Sequence, residues 1–181
     1  DNYSFKYLTV FIFSTENWKR SKKEISFLME LLNKFLDDTI SKIKNENIKI
    51  RFIGDLSVFN KKIQNKLHLI INETLNNTGV TVSLALNYGG RSDIISALNK
   101  ILKNNSISKT FVENDFKKFT LNGDLPYPDL LIRTGGEKRL SNFLLWDLAY
   151  TELMFLDKMW PDFDKVTLKK CIHTFNKRVR K

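Results

Sequence analysis

Asp129–Phe163 reads DLLIRTGGEKRLSNFLLWDLAYTELMFLDKMWPDF, and its first third points to the fold class. Leu130, Leu131 and Ile132 form a short apolar run of the kind buried in a parallel sheet, and Arg133-Thr134-Gly135-Gly136 ends it abruptly. A charge therefore stands at a strand's C-terminal edge, where open α/β sheets bind their ligands. The two glycines are expected to let backbone N–H groups approach an anion without obstruction by a Cβ. Arg139 and Ser141 follow, and Ser141 is placed to N-cap a helix over Asn142–Leu148. Two guanidinium groups, a hydroxyl and a helix N-terminus would together hold a diphosphate. Taken singly, each residue favours a plainer role: surface ion pairs for Arg133 and Arg139, a cap for Ser141.

Working outward, Tyr7–Phe13 (YLTVFIF), Ile48–Ile53 and Thr81–Leu86 are β-branched and aromatic enough to be buried strands. Helical periodicity lies between them. Ile25, Leu28, Leu32, Phe35, Leu36 and Ile40 recur at helix spacing within Glu24–Ile43, and Ile63, Leu67, Ile70 and Ile71 do so in the next segment. Ser92 or Asp93 starts another helix to about Leu102, and a last helix runs from about Lys165 to the end. Strands alternating with helices predict an α/β fold with a mainly parallel central sheet covered by helices on both faces.

A chain of 181 residues can bury one core, and 42% hydrophobic with 28% charged residues is the balance of an ordinary globular domain. With no Pro/Gly/Ser-rich linker or internal repeat, residues 1–181 read as a single domain. The net charge of +10 admits nucleic acid, an anionic membrane surface or an acidic substrate. The lysines are scattered without the basic helix or aromatic-basic sheet of nucleic-acid modules, so most are solvated surface and no nucleic-acid partner is expected. A single cysteine, Cys171, excludes an intrachain disulfide and suits a reducing compartment such as the cytoplasm. No apolar run approaches the ~20 residues that span a bilayer.

Five ordered motifs go further. FSTENWKR at Phe13–Arg20, FIGD at Phe52–Asp55, NYGGR at Asn87–Arg91, the run from Asp129, and its closing WPDF stand in this order across the chain. The sequence resembles the cis-prenyltransferases, the undecaprenyl and dehydrodolichyl diphosphate synthases, and most closely the bacterial undecaprenyl diphosphate synthases. The resemblance implies a helix-flanked parallel sheet below an apolar tunnel. It also implies Mg²⁺-dependent joining of isopentenyl diphosphate to an allylic diphosphate, farnesyl diphosphate being expected, to give a long polyprenyl diphosphate serving as a cell-wall lipid carrier.

Carried over position by position, the resemblance assigns Arg133, Arg139 and Ser141 to isopentenyl diphosphate, with Glu137 orienting the arginines by ion pairing. It sets Asn17 and Trp18 beside the reacting centre, Ser14 in proton handling and Arg20 at the allylic diphosphate. Turn, core-lid and surface-charge roles are the plainer readings of Asn17, Trp18 and Arg20. Leu28, Leu31 and Leu32 would line the product tunnel, although a helix core explains the same stripe. Glu152 falls at the family's magnesium position, a buried paired acid being the plainer reading. Gly89-Gly90 is read as a structural turn beneath the site. His68 and His173 lack a second ligand at metal spacing.

The chain opens at Asp1, where the family has a further strand and a phosphate loop bearing the partner aspartate, and it stops at Lys181 ahead of the usual tail. The expectation is a domain truncated at the N-terminus and at the C-terminus, inactive as it stands. Relatives also imply a homodimer, with Trp160-Pro161-Asp162-Phe163 and the apolar Leu153–Met159 stretch at its interface, and peripheral membrane contact through the lipid product. Two other classes compete: a non-catalytic partner subunit of a two-component cis-prenyltransferase, and a basic nucleic-acid-binding domain. Retention of Arg133 to Glu137 argues against the first, and the scattered lysines against the second.

Overall fold

A computed structural model describes residues 5–103, 110 and 112–178. Among the described residues there are five strands and five α-helices, which alternate as expected as far as α3. In chain order they are β1 (Tyr7–Ser14), α1 (Lys22–Lys42), β2 (Lys49–Ile53), α2 (Lys61–Thr74), β3 (Thr81–Tyr88), α3 (Gly90–Lys103), α4 (Glu113–Lys117), β4 (Leu130–Arg133), β5 (Glu152–Phe155) and α5 (Lys165–Lys177). The expected end of the last helix at Lys181 lies outside the described residues.

All pairings are parallel. β3 lies between β1 and β2 in a three-stranded sheet, and β4 pairs with β5 in a second ladder. Parallel neighbours require crossover connections: α1 and α2 supply them in the three-stranded sheet, whereas β4 reaches β5 through a run of turns. Helix starts follow local chemistry: Ser21 and Glu24 form a capping box before α1, while Asn60 and Asp164 cap α2 and α5 by accepting backbone N–H groups.

The central sheet is covered on both faces. On one, Leu32 and Leu36 of α1 and Ile63, Leu67 and Ile70 of α2 pack with Phe13, Phe59 and Leu86. On the other, Ile53, Ala85 and Tyr88 meet Phe143, Leu144 and Leu148 from the segment after β4. Adjacent residues of β3, Ala85 and Leu86, thus serve opposite cores, as the period of two requires. In β1 the residues Phe11 and Phe13 do the same although they are two apart. A register shift between them, against Ala85 and Leu86, turns the strand over. That bulge points Phe13 toward α1 and α2 and leaves Phe11 stacked on Phe143 with ring centroids 4.6 Å apart.

Candidate active site

Three segments leave the C-terminal ends of strands and converge. After β1 the chain enters a 3₁₀ turn, Thr15–Lys19. The Ser14 backbone N–H and hydroxyl both donate to Asn17 Oδ1, at 2.7 and 3.1 Å. The Trp18 indole packs edge-on against Phe13 and tilts over Phe59, while its Nε1–H donates to Asn87 Oδ1 at 2.8 Å. Arg20 is exposed and pairs with Glu24 at 3.9 Å.

After β3, Asn87 takes a left-handed backbone (φ 47°), and its side-chain amide donates to the Asp55 carbonyl. Asn87 therefore joins Trp18 to the β2 exit. Beneath it Tyr88 donates to Asp93 Oδ2 at 3.1 Å. Burial raises the pKa of both groups above its ordinary value, and their mutual charge interaction raises that of Tyr88 further.

After β4, Arg133 donates through Nη1 to Ser141 Oγ at 2.8 Å and also to the Arg139 carbonyl, which folds Thr134–Ser141 into a closed loop. Arg139 pairs with Glu137, the supporting contact expected of that acid. Two expectations fail here. The backbone N–H groups of Gly135 and Gly136 do not face an anion: they donate to the carbonyls of Lys158 and Leu156, both at 2.9 Å. Ser141 does not cap a helix, because Asn142–Leu148 is a succession of turns. Ser141, Asn142 and Leu144 have φ of 47°, 63° and 41°, a backbone that no right-handed helix contains. The groups the loop can present to an anion are therefore its guanidinium groups and the Ser141 hydroxyl.

Asn142 ties the segments together. Its side-chain amide donates to Glu16 Oε1 at 2.8 Å, its Oδ1 accepts the Arg91 N–H at 2.9 Å, and its carbonyl accepts the Gly90 N–H at 2.6 Å. Partial burial opposes ionisation of Glu16, but hydrogen bonds from Asn142, its own backbone and Thr15 outweigh it and lower the carboxyl pKa. Sequence reading passed over Asn142 as one residue of an expected helix, and Asn87 as part of a turn.

A family model described as "Putative undecaprenyl diphosphate synthase" matches residues 1–181. The chain belongs to the undecaprenyl diphosphate synthase family of prenyltransferases. An isoprenyl transferase of Neisseria gonorrhoeae is 45% identical over 176 residues, which are 97% of this chain and 70% of that protein. A farnesyl-diphosphate-specific ditrans,polycis-undecaprenyl-diphosphate synthase of Wigglesworthia glossinidia brevipalpis is 44% identical over 180 residues, covering 96% and 68%. Among solved structures, a "probable undecaprenyl diphosphate synthase" from Campylobacter jejuni superposes with a TM-score of 0.88 at 38% identity, covering 97% of this chain and 82% of that one. Lavandulyl diphosphate synthase from Lavandula x intermedia, in complex with dimethylallyl diphosphate, gives 0.91 at 34%, covering 97% and 78%.

Within this prenyltransferase chain Ser14 ends β1, Asn17 and Trp18 stand on the turn after it with Arg20 just beyond, and Arg133, at the end of β4, is joined by Arg139 and Ser141 of the following loop. Glu152 is not with them. It opens β5 opposite Leu130, three residue steps before the level of Arg133, or about 10 Å at ~3.3 Å per step. Its carboxylate accepts from Arg178 at the end of α5. A carboxylate oxygen is the ligand class Mg²⁺ prefers, and among the described residues Glu152 stands without a cluster of three acidic, His or Cys groups around it. The proposed tunnel residues divide likewise. Leu32 is buried in the α1–α2 core and Leu28 lies partly buried against it, whereas Leu31 sits on the exposed side of α1 with Phe27 and Phe35.

Proposed function

We propose that this chain elongates isoprenoid diphosphates in the cis sense, joining isopentenyl diphosphate to an allylic diphosphate such as farnesyl diphosphate and building a long polyprenyl diphosphate such as undecaprenyl diphosphate. The observation that carries the reading is the closed loop bearing Arg133, Arg139 and Ser141, tied through Asn142 to the turn bearing Glu16, Asn17 and Trp18.

The chemistry breaks the allylic C–O bond, whose electron pair leaves with the diphosphate. The double-bond pair of the isopentenyl group then forms the new C–C bond, and a proton departs from its C2. Charge on two diphosphates must be held in place throughout. Arg133, Arg139 and the Ser141 hydroxyl supply fixed donors for the isopentenyl diphosphate. Arg20 lies just beyond the β1 turn for the allylic one. Asn17 Oδ1 already accepts twice from Ser14, so the group Asn17 offers is its amide N–H, a donor suited to the departing diphosphate. Neither Asn17 nor Ser14 is a base, and the C2 proton needs another acceptor. Trp18 walls the reacting carbons on the side of Phe13 and Phe59. The growing chain runs along the exposed Phe27, Leu31 and Phe35 side of α1, with Leu28 beside it.

Mg²⁺ dependence belongs to this proposal on the strength of the two diphosphate substrates, and Glu152 remains the carboxylate proposed for it once Arg178 is displaced. When bound, the ion supplies charge neutralisation for the leaving diphosphate. The protein is further proposed to act in the cytoplasm as a C₂ homodimer. Trp160, stacked on Phe163, is 64% exposed and so does not serve merely to close its own core. Among the described residues no helix is long and apolar enough to cross a membrane.

The test is incubation of the protein, expressed from its complete reading frame, with labelled isopentenyl diphosphate, farnesyl diphosphate and Mg²⁺. A ladder of butanol-extractable polyprenyl diphosphates is expected. Absence of incorporation overturns the reading.

A further inference from the structure

We propose that Asn142 is a positioning residue that sets the distance between the two diphosphate-binding segments, and that the prenyl-transfer step depends on it although Asn142 itself need touch neither substrate. This rests on the functional reading above.

The geometry is specific. The turn after β1 carries Asn17, Trp18 and the approach to Arg20, while the loop after β4 carries Arg133, Arg139 and Ser141. Among the described residues no strand ladder links the two, since β1 pairs with β3 and β4 with β5. The Asn142 amide bridges them at one point: Nδ2–H to Glu16 Oε1 on the first segment, and Oδ1 to the Arg91 N–H at the start of α3. Its carbonyl takes the neighbouring Gly90 N–H as well. The flanking sequence is shaped around this bridge. A Cβ at Gly89 would stand 2.6 Å from Thr15 Oγ1 and 2.9 Å from Asn142 Nδ2, and one at Gly90 would stand 3.1 Å from the Asn142 carbonyl. The left-handed backbone at Asn142 suits asparagine better than most residues. Bond formation between two separately held carbons demands approach to about 3–3.5 Å, so a shift of one segment against the other penalises the reacting geometry more than either binding step.

The arrangement permits a reciprocal repair. Asn142→Asp keeps the acceptor for the Arg91 N–H but sets a carboxylate against the Glu16 carboxylate. Adding Glu16→Gln restores a side-chain N–H donor in the opposite direction, closing the same bridge. In the protein expressed from its complete reading frame, Asn142→Asp is expected to lower kcat by roughly tenfold to a hundredfold while the KM of each diphosphate stays within about threefold. The double variant is expected to return to the kcat of Glu16→Gln alone. Asn142→Gly, which tolerates the left-handed backbone but removes the amide, should show the same kcat loss without repair by Glu16→Gln. A kcat unchanged in Asn142→Asp, a loss that Glu16→Gln fails to repair, or a loss confined to the KM of isopentenyl diphosphate would overturn the proposal. If the wild type performs no prenyl transfer, the functional reading fails and takes the proposal with it. An active wild type with an unrepaired Asn142→Asp defeats the positioning role alone.

Discussion

Two Gly-Gly pairs follow strands in this molecule, and they are glycine for opposite reasons. Gly89-Gly90, after β3, has no left-handed φ but is crowded: a Cβ on Gly90 would meet Leu145 Cγ at 2.8 Å and the Leu145 backbone nitrogen at 2.9 Å. Gly135-Gly136, after β4, has space for a Cβ, with nothing closer than 3.7 Å, yet its φ angles are 89° and 76°. The first pair is a packing requirement where three segments cross. The second is a conformational requirement that turns the chain so that Arg133 and Arg139 flank a loop, with both amide N–H groups committed to carbonyls after β5. A Gly-Gly dipeptide at a strand exit therefore does not by itself mean phosphate binding, since here the N–H groups of Gly90, Gly135 and Gly136 already donate to carbonyls.

The largest effect should come from the crowded pair. Gly90→Ala forces backbone against backbone and is expected to destabilise by about 3 kcal/mol, the upper range for overpacking, read as a lowered urea midpoint. Gly135→Ala should cost less, about 1–2 kcal/mol for a left-handed alanine, with Gly135→Asn recovering part of it. Equal losses at the two positions would erase the distinction between them.

The same contrast of packed and open runs along α1. Leu32→Trp must expand a filled core and is expected to cost about 1–3 kcal/mol in urea unfolding. Leu31→Trp, on the exposed side, should leave stability within about 0.5 kcal/mol. In the active protein it should also shorten the polyprenyl product, since each isoprene unit gains burial only while the path has room. An unchanged product ladder removes Leu31 from that path.

The smallest effect concerns pH. The carboxyl of Glu16 titrates below its ordinary value, so its bridge to Asn142 contributes stability above the unfolded-state pKa and loses it as pH falls through the folded-state pKa. Glu16→Gln should therefore flatten the stability profile slightly on the acid side of the ordinary carboxylate range, with a small loss of stability near neutrality that disappears as the pH falls. A profile identical to wild type through that acid range would mean that the bridge adds nothing to folding.

Much of this was legible in the sequence. Apolar runs marked β1 to β4 within a residue or two, and helical periodicity marked α1 and α2, because burial on a fixed face writes itself at a fixed spacing, while a start signal at Ser92 or Asp93 marked α3. What stayed hidden depends on tertiary partners. Asn142–Leu148 has the composition of a short helix, but the Gly90 N–H and the crossing at Leu145 hold it in left-handed turns. The bulge between Phe11 and Phe13 leaves no mark in an unbroken run of strand-forming residues. Arg133, Arg139 and Ser141 were recognised from their motif, and the loop gathers them. Glu152 came from the same motif, but the β4–β5 register, which no local pattern encodes, sets it at the other end of the strand pair.

Prenyl transfer by this chain, as proposed, requires the loop after β4 to be a diphosphate site built from side chains. Calorimetric titration of isopentenyl diphosphate into the wild-type protein and into Arg139→Ala tests this directly, because Arg139 is exposed and its only ion pair among the described residues is with Glu137 two residues away. Loss of one charge-assisted contact of roughly 1.5–3 kcal/mol predicts an affinity weakened by about tenfold or more, with an unaltered urea midpoint. Equal affinity of the two proteins for isopentenyl diphosphate would contradict it.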